Sequence, residues 1–592
     1  MLLDDGLLTE LDGRWRAPSD LATATSTPPT LIGLLTARLH RLAPAERDAL
    51  VCASVIGKAF SVADLAILSA PEVPDVDETV QRLLDRSVLR VPAGGEAGDV
   101  STLEFQHQLL RDAAYATLPK ARRGEMHERF AAHLEAAATD RPEELDELVG
   151  HHLAQAHDYR TELGVLDEQT RSLAERAAGH LSAAGGRAVE RGDPHAAIRL
   201  LRRAISMTTT PGPRAAMRLP LCHALGDTAD EERYDATLDA GLADAIEAGD
   251  VRLRTRFEHL RTTSALVRET KTTPLDQVIA ELRSQAETLR SFHDAQGVAE
   301  CLYQLATTAW IGGDAARFER TAREALDAAT TSGDARLVGR AATYVIVALL
   351  RGPTPLPEAL EALRAIRRGT ALSGSASASF RLGEAEMLTY LDDLDEAHAL
   401  VEAAASELTE LGLSIDIAVA DSVRAIVADA RDDLEEAERS LRRSYERFQG
   451  VGDTANGGLV AVDLADVLAR SGRYTEAEEL ATAVAELAAD VDVEAQVGWR
   501  MASARARAAL GDPTAALRLL QEATARLEAT DFTVLRADSL LATGDVLATI
   551  GHTGDAIDRL EAAHLAYAAK GHAVGQRQAL QRLAEISARQ SP

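Results

Sequence analysis

The 592-residue chain contains few aromatic residues and few cysteines. Aromatic residues make up 4% of the chain, whereas hydrophobic residues, mostly alanine, leucine and valine, reach 46%. This balance favours helices over strands. The three cysteines, Cys52, Cys222 and Cys301, are widely spaced and form no CxxC pair. That spacing argues against a disulfide framework and favours buried thiols in a reducing compartment.

Lysine is also scarce: only four of the 63 lysine and arginine residues are lysines. The arginine bias is typical of a high-GC bacterial coding sequence. The 93 acidic residues give a formal net charge of −30, which argues against general binding to nucleic acid or anionic membranes. The longest mainly apolar run, 341–350, is about half a membrane span, and the first residues lack a basic, apolar leader. We therefore expect a cytoplasmic protein with no membrane partner.

A repeat with a period near 40 residues is the strongest positive feature of the sequence. Its reference positions are Ala197, Ala236, Val278, Phe318, Ala359, Ala397, Ala437, Ala477, Ala516 and Ala556. In most repeats a second small residue lies twelve positions earlier, and a bulky apolar residue lies four positions later. Small residues let two helix axes approach closely, while the bulky residue fills the groove against the neighbouring pair. The pattern predicts stacked helix pairs, none of which could bury its apolar face alone.

Glycine is predicted to end the first helix of several pairs in a left-handed conformation, at Gly192, Gly313, Gly472 and Gly511. The order of small residue, glycine turn, alanine and small residue resembles the tetratricopeptide repeat, whose period is shorter, about 34 residues. The resemblance implies an all-α fold over residues 191–592: a right-handed α-solenoid of about ten 40-residue helix pairs. Between residues 205 and 300 the match is poor.

The N-terminal part has a different organisation. Helical patterns up to residue 86 precede two strand-like runs, 87–91 and 102–105, which flank a glycine-rich tip, and a further helix covers 108–118. This order predicts a winged-helix domain with a small β-hairpin over residues 28–119. Residues 1–27 are interpreted as the remnant of a preceding module, with a helix end at 2–8 and a hairpin around 13–16. Residues 120–190 are interpreted as a helical connector.

A winged helix raises the possibility of DNA binding, which the charge does not support. Residues 1–135 contain 14 Lys and Arg against 20 Asp and Glu. In the helix where recognition residues would lie, Gln81, Arg82 and Arg86 are mixed with acidic residues. A DNA-docking module is usually basic on one face. DNA is therefore an unfavoured partner, and a packing role between domains is preferred.

Four phrases in the N-terminal third carry a second resemblance: 31–42, 53–60, 105–115 and 147–156. They are similar to the region that follows the nucleotide-binding core in bacterial STAND-class signalling ATPases, including LuxR-type and cyclase-linked regulators. The resemblance covers about residues 1–205 and implies that 1–27 is the remnant of an ATPase module. The phosphate-binding motif Gly-x-x-x-x-Gly-Lys-Ser/Thr does not occur in the sequence. The chain thus resembles the sensor half of such a protein.

Candidate site residues are correspondingly few. The resemblance implies that His107 contacts a nucleotide, but only one held by a separate ATPase chain; the alternative is a satisfied histidine at a strand–helix junction. The phrase 450–455 fits a loose dinucleotide fingerprint but follows a helix instead of a strand. His127 and His133 are six residues apart, not the four that suit zinc on one helix face. We expect no catalytic residues, no metal and no cofactor.

Three functional hypotheses follow from these patterns. The preferred one is a non-enzymatic signalling scaffold whose concave solenoid face binds a protein, peptide or small-molecule effector. The second is a transcriptional regulator that binds DNA through the winged helix. The third is a sensor subunit of an ATPase or cyclase assembled in trans, with a separate ATPase chain as partner.

Overall fold

A computed structural model describes residues 9–11, 14–16, 31–70, 72–92, 102–137, 142–228, 230–268, 274–369, 374–488 and 492–590. The described chain is mostly helical and divides into two compact units. Unit 1 is Met1–Asp244 and unit 2 is Ala245–Pro592. The division lies inside the region predicted to be repetitive.

Unit 1 begins with an antiparallel hairpin of β1 (Thr9–Leu11) and β2 (Arg14–Arg16). This confirms the hairpin predicted around residues 13–16. The predicted helix end at 2–8 lies outside the described residues.

A small antiparallel sheet and five short helices follow. The helices are α1 (Leu31–His40), α2 (Pro44–Ile56), α3 (Val62–Ser69), α4 (Val76–Asp85) and α5 (Gln108–Ala116); the strands are β3 (Ala59–Ser61), β4 (Leu89–Arg90) and β5 (Thr102–Phe105). The strand order is β3-β5-β4. The predicted pairing of the two strand-like runs is confirmed, with Leu89 opposite Phe105. The predicted tip is 92–98, of which residues 93–98 lie outside the described residues.

The remaining helices of unit 1 share a core with this sheet module. They are α6 (Lys120–Ala137), α7 (Pro142–Glu162), α8 (Glu168–Glu190), α9 (Pro194–Ser206), α10 (Pro211–Gly226) and α11 (Glu231–Glu247), the last ending just beyond the unit. One apolar cluster runs from Leu39 through Phe130 and Leu173 to Met217. The predicted connector, 120–190, is thus helical and packs in the same core as the sheet module. The borders at 119 and 190 stay predictions.

Unit 2 contains seventeen helices in its described ranges. They are α12 (Val251–Arg268), α13 (Leu275–Ser291), α14 (Ala295–Ile311), α15 (Ala315–Ser332), α16 (Ala335–Arg351), α17 (Leu356–Gly369), α18 (Gly374–Tyr390), α19 (Leu394–Glu410), α20 (Ser414–Ala430), α21 (Leu434–Gly450), α22 (Thr454–Arg470), α23 (Tyr474–Leu487), α24 (Val493–Ala509), α25 (Pro513–Glu528), α26 (Thr533–Thr549), α27 (Thr553–Lys570) and α28 (Ala573–Gln590). From α14 onward, even-numbered helices are the first members of the predicted pairs.

The repeating small positions are buried, as the helix-pair pattern predicts. Ala397, Ala437, Ala477, Ala516 and Ala556 are each fully buried on the second helix of their pair. The prediction is wrong at Ala236, which is exposed, because α11 buries Leu238 and Leu242 instead. The error falls in the stretch where the sequence match was already poor.

The turns between paired helices contain glycines in the left-handed conformation that the sequence predicts. Gly192, Gly313, Gly472 and Gly511 all have positive φ, between 73° and 90°. In three of these turns an aspartate follows and caps the second helix, as Asp193 does by accepting a hydrogen bond from the Ala196 N–H.

The helix pairs of unit 2 close on themselves. The first helices near the C-terminus, α26 and α28, contact α16 and α18, which precede them by more than 150 residues. The first helices from α16 to α28 therefore surround a common interior within unit 2. We call this closed arrangement the ring.

Candidate functional site

Two adjoining cavities lie inside the ring. The ion-pair cavity has a volume of about 270 Å³ and is lined mainly by the first helices from α16 to α28, with Leu441 and Tyr567 contributed by second helices. The acidic cavity has a volume of about 250 Å³ and is lined by α14, α16, α18, α22, α24 and α26. Arg351, Asp463 and Met501 line both. The two cavities therefore share a wall.

In the first helices α18, α20, α22, α24 and α26, the residue that follows the small position reaches this interior. The cavity-lining residues at that position are Glu386, Ile426, Asp466, Arg505 and Asp545. Successive residues of an α-helix are rotated by about 100°, so the neighbour of a residue buried against the second helix faces sideways, here into the ring. The repeat thus places one variable position per pair on the cavity wall.

Ion pairs link neighbouring first helices across the ion-pair cavity. Arg470 Nη1 lies 2.7 Å from Asp429 Oδ1, and Arg505 Nη2 lies 3.3 Å from Asp545 Oδ2. Arg505 also pairs with Asp466, and Arg582 Nε lies 3.4 Å from Asp545 Oδ1. The three arginines and three carboxylates of this ladder compensate each other's charge within the wall.

The acidic cavity lacks such compensation. Four carboxylates line it, Glu386, Asp463, Glu494 and Asp538, and Arg351 is its single basic residue. Arg351 contacts two of them loosely, with Nη2 3.5 Å from Glu386 Oε1 and Nε 3.7 Å from Glu494 Oε1. Within the described ranges, Asp463 has neither an ion pair nor a hydrogen bond. The formal charge of the acidic cavity is therefore negative.

Enclosure by protein affects the protonation of three of these carboxyls. Burial raises the pKa of Glu494 and of Asp538, and it raises the pKa of Asp463 to about 7. Arg351 opposes each increase but does not reverse it. Asp463 keeps side-chain surface that is exposed to the solvent of the cavity. One arginine, Arg351, thus stabilises the charged forms of all three carboxyls only in part.

Aromatic side chains border the carboxylates. The Tyr390 hydroxyl donates to Glu386 Oε1 at 2.6 Å, and the Tyr567 hydroxyl donates to Asp538 Oδ1 at 2.5 Å. Trp310 and Phe532 form another part of the acidic cavity wall, with ring centroids 4.6 Å apart. Aromatic faces beside carboxylates favour a ligand that combines positive charge with apolar carbon.

His107, the candidate nucleotide contact, lies in unit 1 at the junction of β5 and α5. It is the N-cap residue of α5, with φ −137°, and its side chain makes no capping hydrogen bond. The side chain is exposed. A role in nucleotide contact stays a prediction.

Of the two histidines at unsuitable zinc spacing, His127 forms a buried pair with His152, whereas His133 Nε2 lies 3.0 Å from Asp64 Oδ1. His127 Nδ1 lies 2.7 Å from His152 Nδ1, and the Tyr115 hydroxyl lies 2.8 Å from His127 Nε2. Burial lowers the pKa of His127 to about 3 and that of His152 to about 2. In the part of the chain that the structure describes, no group of three or more His, Cys, Asp and Glu residues is arranged to hold a metal ion.

Sequence reasoning missed the cavity residues. It left charged residues beside the repeating small positions unassigned, because a charged residue on a helix is ordinarily solvated. A signal was nevertheless present: Asp466, Arg505 and Asp545 follow the small positions Ala465, Ala504 and Gly544 directly and alternate in charge. Alternation at one repeat position predicts pairing between neighbouring repeats.

Comparisons with known proteins show similarity in solved structures alone. No family model matches the chain, and neither does any curated protein. A signal transduction ATPase with numerous domains and a tetratricopeptide repeat sensor, from Pyrococcus horikoshii, is 13% identical, with a TM-score of 0.36. The match covers 78% of this chain and 66% of that one. This chain thus spans just under two thirds of the ATPase.

Two further solved structures are similar to a comparable degree. A Rap protein complexed with competence and sporulation factor is 14% identical, with coverage of 70% of this chain and 98% of that chain and a TM-score of 0.36. Yeast Tom70 is 12% identical, with coverage of 74% and 96% and a TM-score of 0.30. These values are too low to carry an argument, so the helical-repeat architecture rests on the helix pairs of this chain. None of the helices within the described ranges has the length and apolarity to span a bilayer.

Proposed function

We propose that this chain is a non-enzymatic, cytoplasmic regulatory scaffold whose ring binds an effector. The effector is a peptide or small molecule that carries a cationic group, which enters the acidic cavity. The observation that carries this proposal is the unequal charge of that cavity: four carboxylates face one arginine, and Asp463 forms neither an ion pair nor a hydrogen bond within the described ranges. A guanidinium or ammonium group there would supply the missing cation.

Proton release is a specific consequence of this proposal. A cation beside a carboxyl lowers its pKa, and the pKa of Asp463 begins at about 7. At pH 7 a cationic ligand would therefore displace a fraction of a proton from the cavity. Calorimetric binding enthalpies should then depend on the ionisation enthalpy of the buffer.

The test is isothermal titration calorimetry on the full chain with two probes, spermidine and a short arginine-containing peptide. We expect saturable binding, and we expect Asp463→Asn to weaken it by about tenfold or more, since tenfold corresponds to about 1.4 kcal/mol. Asp558→Asn, which changes an exposed carboxylate on α27, is the matched control and should leave affinity unchanged. Absence of binding, or equal binding of the peptide with glutamate in place of arginine, would refute the proposal.

For unit 1 we propose a winged-helix domain over 28–119 with a structural role. What supports this is the order of three antiparallel strands and surrounding helices, together with the pairing of the α4 arginines. Arg82 Nη1 lies 2.8 Å from Glu78 Oε1, and Arg82 and Arg86 each lie 3.7 Å from Glu46. Arginines held by carboxylates are poor phosphate contacts. DNA binding by the full chain that weakens steeply with salt would favour the transcriptional alternative instead.

His107 is proposed as a nucleotide contact only in an assembly with a separate ATPase chain. Its exposed position at the start of α5 leaves it available to a partner. The experiment is co-purification with such a chain in the presence of ATP, with His107→Ala as the variant. Loss of ATP-dependent association in the variant supports the proposal, and unchanged association removes it.

A further inference from the structure

The ring of unit 2 is closed by contacts between turns that lie far apart in sequence. On one side are the turns at 312–314 and 351–355; on the other are the turns at 529–532 and 570–572. We call this contact the seam. Its main participants are Gly313, Gly352, Asp531 and Lys570.

Asp531 binds the first turn of α15 from the far side of the seam. Its carboxylate accepts hydrogen bonds from the Ala315 N–H at 2.5 Å and the Ala316 N–H at 2.9 Å. The Asp531 N–H in turn donates to the Gly313 carbonyl at 3.2 Å. A helix N-terminus carries unsatisfied N–H groups and partial positive charge, so the carboxylate satisfies both.

Lys570 binds the backbone at the C-terminal end of α16. Its ammonium is buried, at 2% exposure for the residue, and it donates to three backbone carbonyls. The acceptors are Leu349 O at 3.0 Å, Gly352 O at 2.5 Å and Thr354 O at 2.6 Å. An ammonium group has three donors, so its hydrogen-bonding capacity is fully used. A cation at a helix C-terminus also complements the partial negative charge there.

A third polar contact lies beside the seam. Arg577 Nη2 donates to Asp392 Oδ1 at 3.1 Å and to the Ala430 carbonyl at 2.7 Å. These acceptors lie at the ends of first helices α18 and α20. The C-terminal helix α28 therefore joins the opposite wall through charge and backbone polar groups.

The seam contains two ring stacks, Trp310 on Phe532 and Tyr390 on His572, with ring centroids 4.6 Å and 4.2 Å apart, but the apolar clusters on its two sides are separate. The main apolar cluster of unit 2 spans Leu266 to Val427, whereas the clusters nearest the C-terminus, which include Tyr567 and Leu560, are separate from it. Elsewhere in the ring, neighbouring helices are joined through buried alanine and leucine side chains. Opening the seam separates these two stacks and a few hydrogen-bonded turns, whereas separating consecutive pairs would break an extended apolar core, so the seam opens more readily.

We propose that the seam is a reversible latch: separation of the Asp531 and Lys570 contacts opens the ring and admits the effector to the cavities. This inference rests on the proposed function for its ligand, although the opening itself can be measured without one. The latch makes effector binding depend on the fraction of open rings, so seam variants would change binding rates without touching the acidic cavity.

The test uses a thiol inside the ring. Met501 lines both cavities, so Met501→Cys in the full chain places a reactive group there, and its labelling rate with fluorescein maleimide reports access. The native thiols at Cys52, Cys222 and Cys301 are buried, and burial raises their pKa values, which makes them slow to react. We expect Lys570→Met to speed labelling of the engineered thiol at least tenfold.

A further variant keeps the proposal falsifiable. Asp531→Asn weakens the seam more mildly and should give a smaller increase if Lys570→Met does not fold.

Asp433→Asn is the matched control, because Asp433 caps α21 within its own helix pair. It should leave the labelling rate unchanged. The latch is overturned if the seam variants label at the rate of the control, or if the engineered thiol in an otherwise unchanged ring reacts as fast as a free thiol. Slow, seam-controlled labelling without spermidine binding would instead support the latch and refute the proposed ligand.

Discussion

Gly185 and Leu201 determine how closely α8 approaches α9 in the first recognisable helix pair. A Cβ added to Gly185 would lie 2.7 Å from Leu201 Cγ and 3.4 Å from the Leu201 backbone nitrogen. The adjacent Gly186 has open space at the same point. The two glycines thus lie side by side on one helix, but only Gly185 packs against the neighbouring helix.

This difference gives a matched pair of substitutions. Gly185→Ala should destabilise the protein by about 1–3 kcal/mol because it overpacks the pair, whereas Gly186→Ala should stabilise it by about 0.5–1 kcal/mol through helix propensity. Urea unfolding followed by circular dichroism measures both. Equal effects of the two substitutions would contradict the close-approach role of the small position.

Side chains that pack within one helix pair were predictable, while the cavity residues were not. The small and bulky positions contact each other across a short, regular turn, so their spacing in sequence determines their contact. Asp463 and Glu494 meet only because separate repeats curve toward one interior. Nothing in the spacing of a single repeat distinguishes them from solvated charges.

The buried His127–His152 pair joins α6 to α7 in unit 1. Their Nδ1 atoms share one hydrogen bond, so at most one proton can lie between them, and full protonation of both rings would break the contact. The charged side chains of Arg111 and Arg123 face the pair and, after burial, help to lower the pKa of His127. His151 lowers the pKa of both rings in the same direction.

Unit 1 should therefore lose stability in acid. Unfolded histidines take up protons as pH falls below about 6.5, whereas the folded pair, with pKa values of about 3 and about 2, does not. Each ring then removes up to ~1.4 kcal/mol of stability per pH unit between about 6.5 and 3. Above pH 6.5 the pair contributes no pH dependence. Hydrogen exchange of α6 and α7 at pH 7.5 and 5 measures the loss.

A double substitution provides the comparison. His127→Met with His152→Met removes both titrating groups and should flatten the pH dependence, while Tyr115 keeps its hydrogen bond to the Tyr159 hydroxyl at 2.8 Å. The exposed His40 supplies the control, since His40→Gln should retain the full dependence. An unchanged pH slope in the double variant would show that other groups control acid stability.

At the scale of elements, helices with strong periodicity were predictable and one short strand was not. The hairpin of β4 and β5 followed from two β-rich runs around a turn. β3, only three residues long, has too little sequence for a pattern and forms because the free edge of β5 is available to it. The register of α11 was wrong because Ala236 lies on its solvent face, where an alanine is equally acceptable.

At the scale of the whole molecule, the closed ring of unit 2 could not be predicted from the sequence. A repeat specifies only how each helix pair contacts the next pair. Whether turns far apart in sequence meet depends on the curvature that accumulates over several pairs. One compositional signal was available afterwards: Lys570 is one of four lysines in the chain, and it lies at the seam.

The distance across the seam tests the central claim, a closed ring around a charged interior, most directly. Spin labels at Arg320→Cys and Glu528→Cys occupy exposed positions on its two sides, and the buried native thiols should remain unlabelled. Double electron–electron resonance should give one narrow, short distance in the otherwise unchanged chain. Lys570→Met should add a longer population. A broad distribution at long distances before any seam substitution would contradict the closed ring.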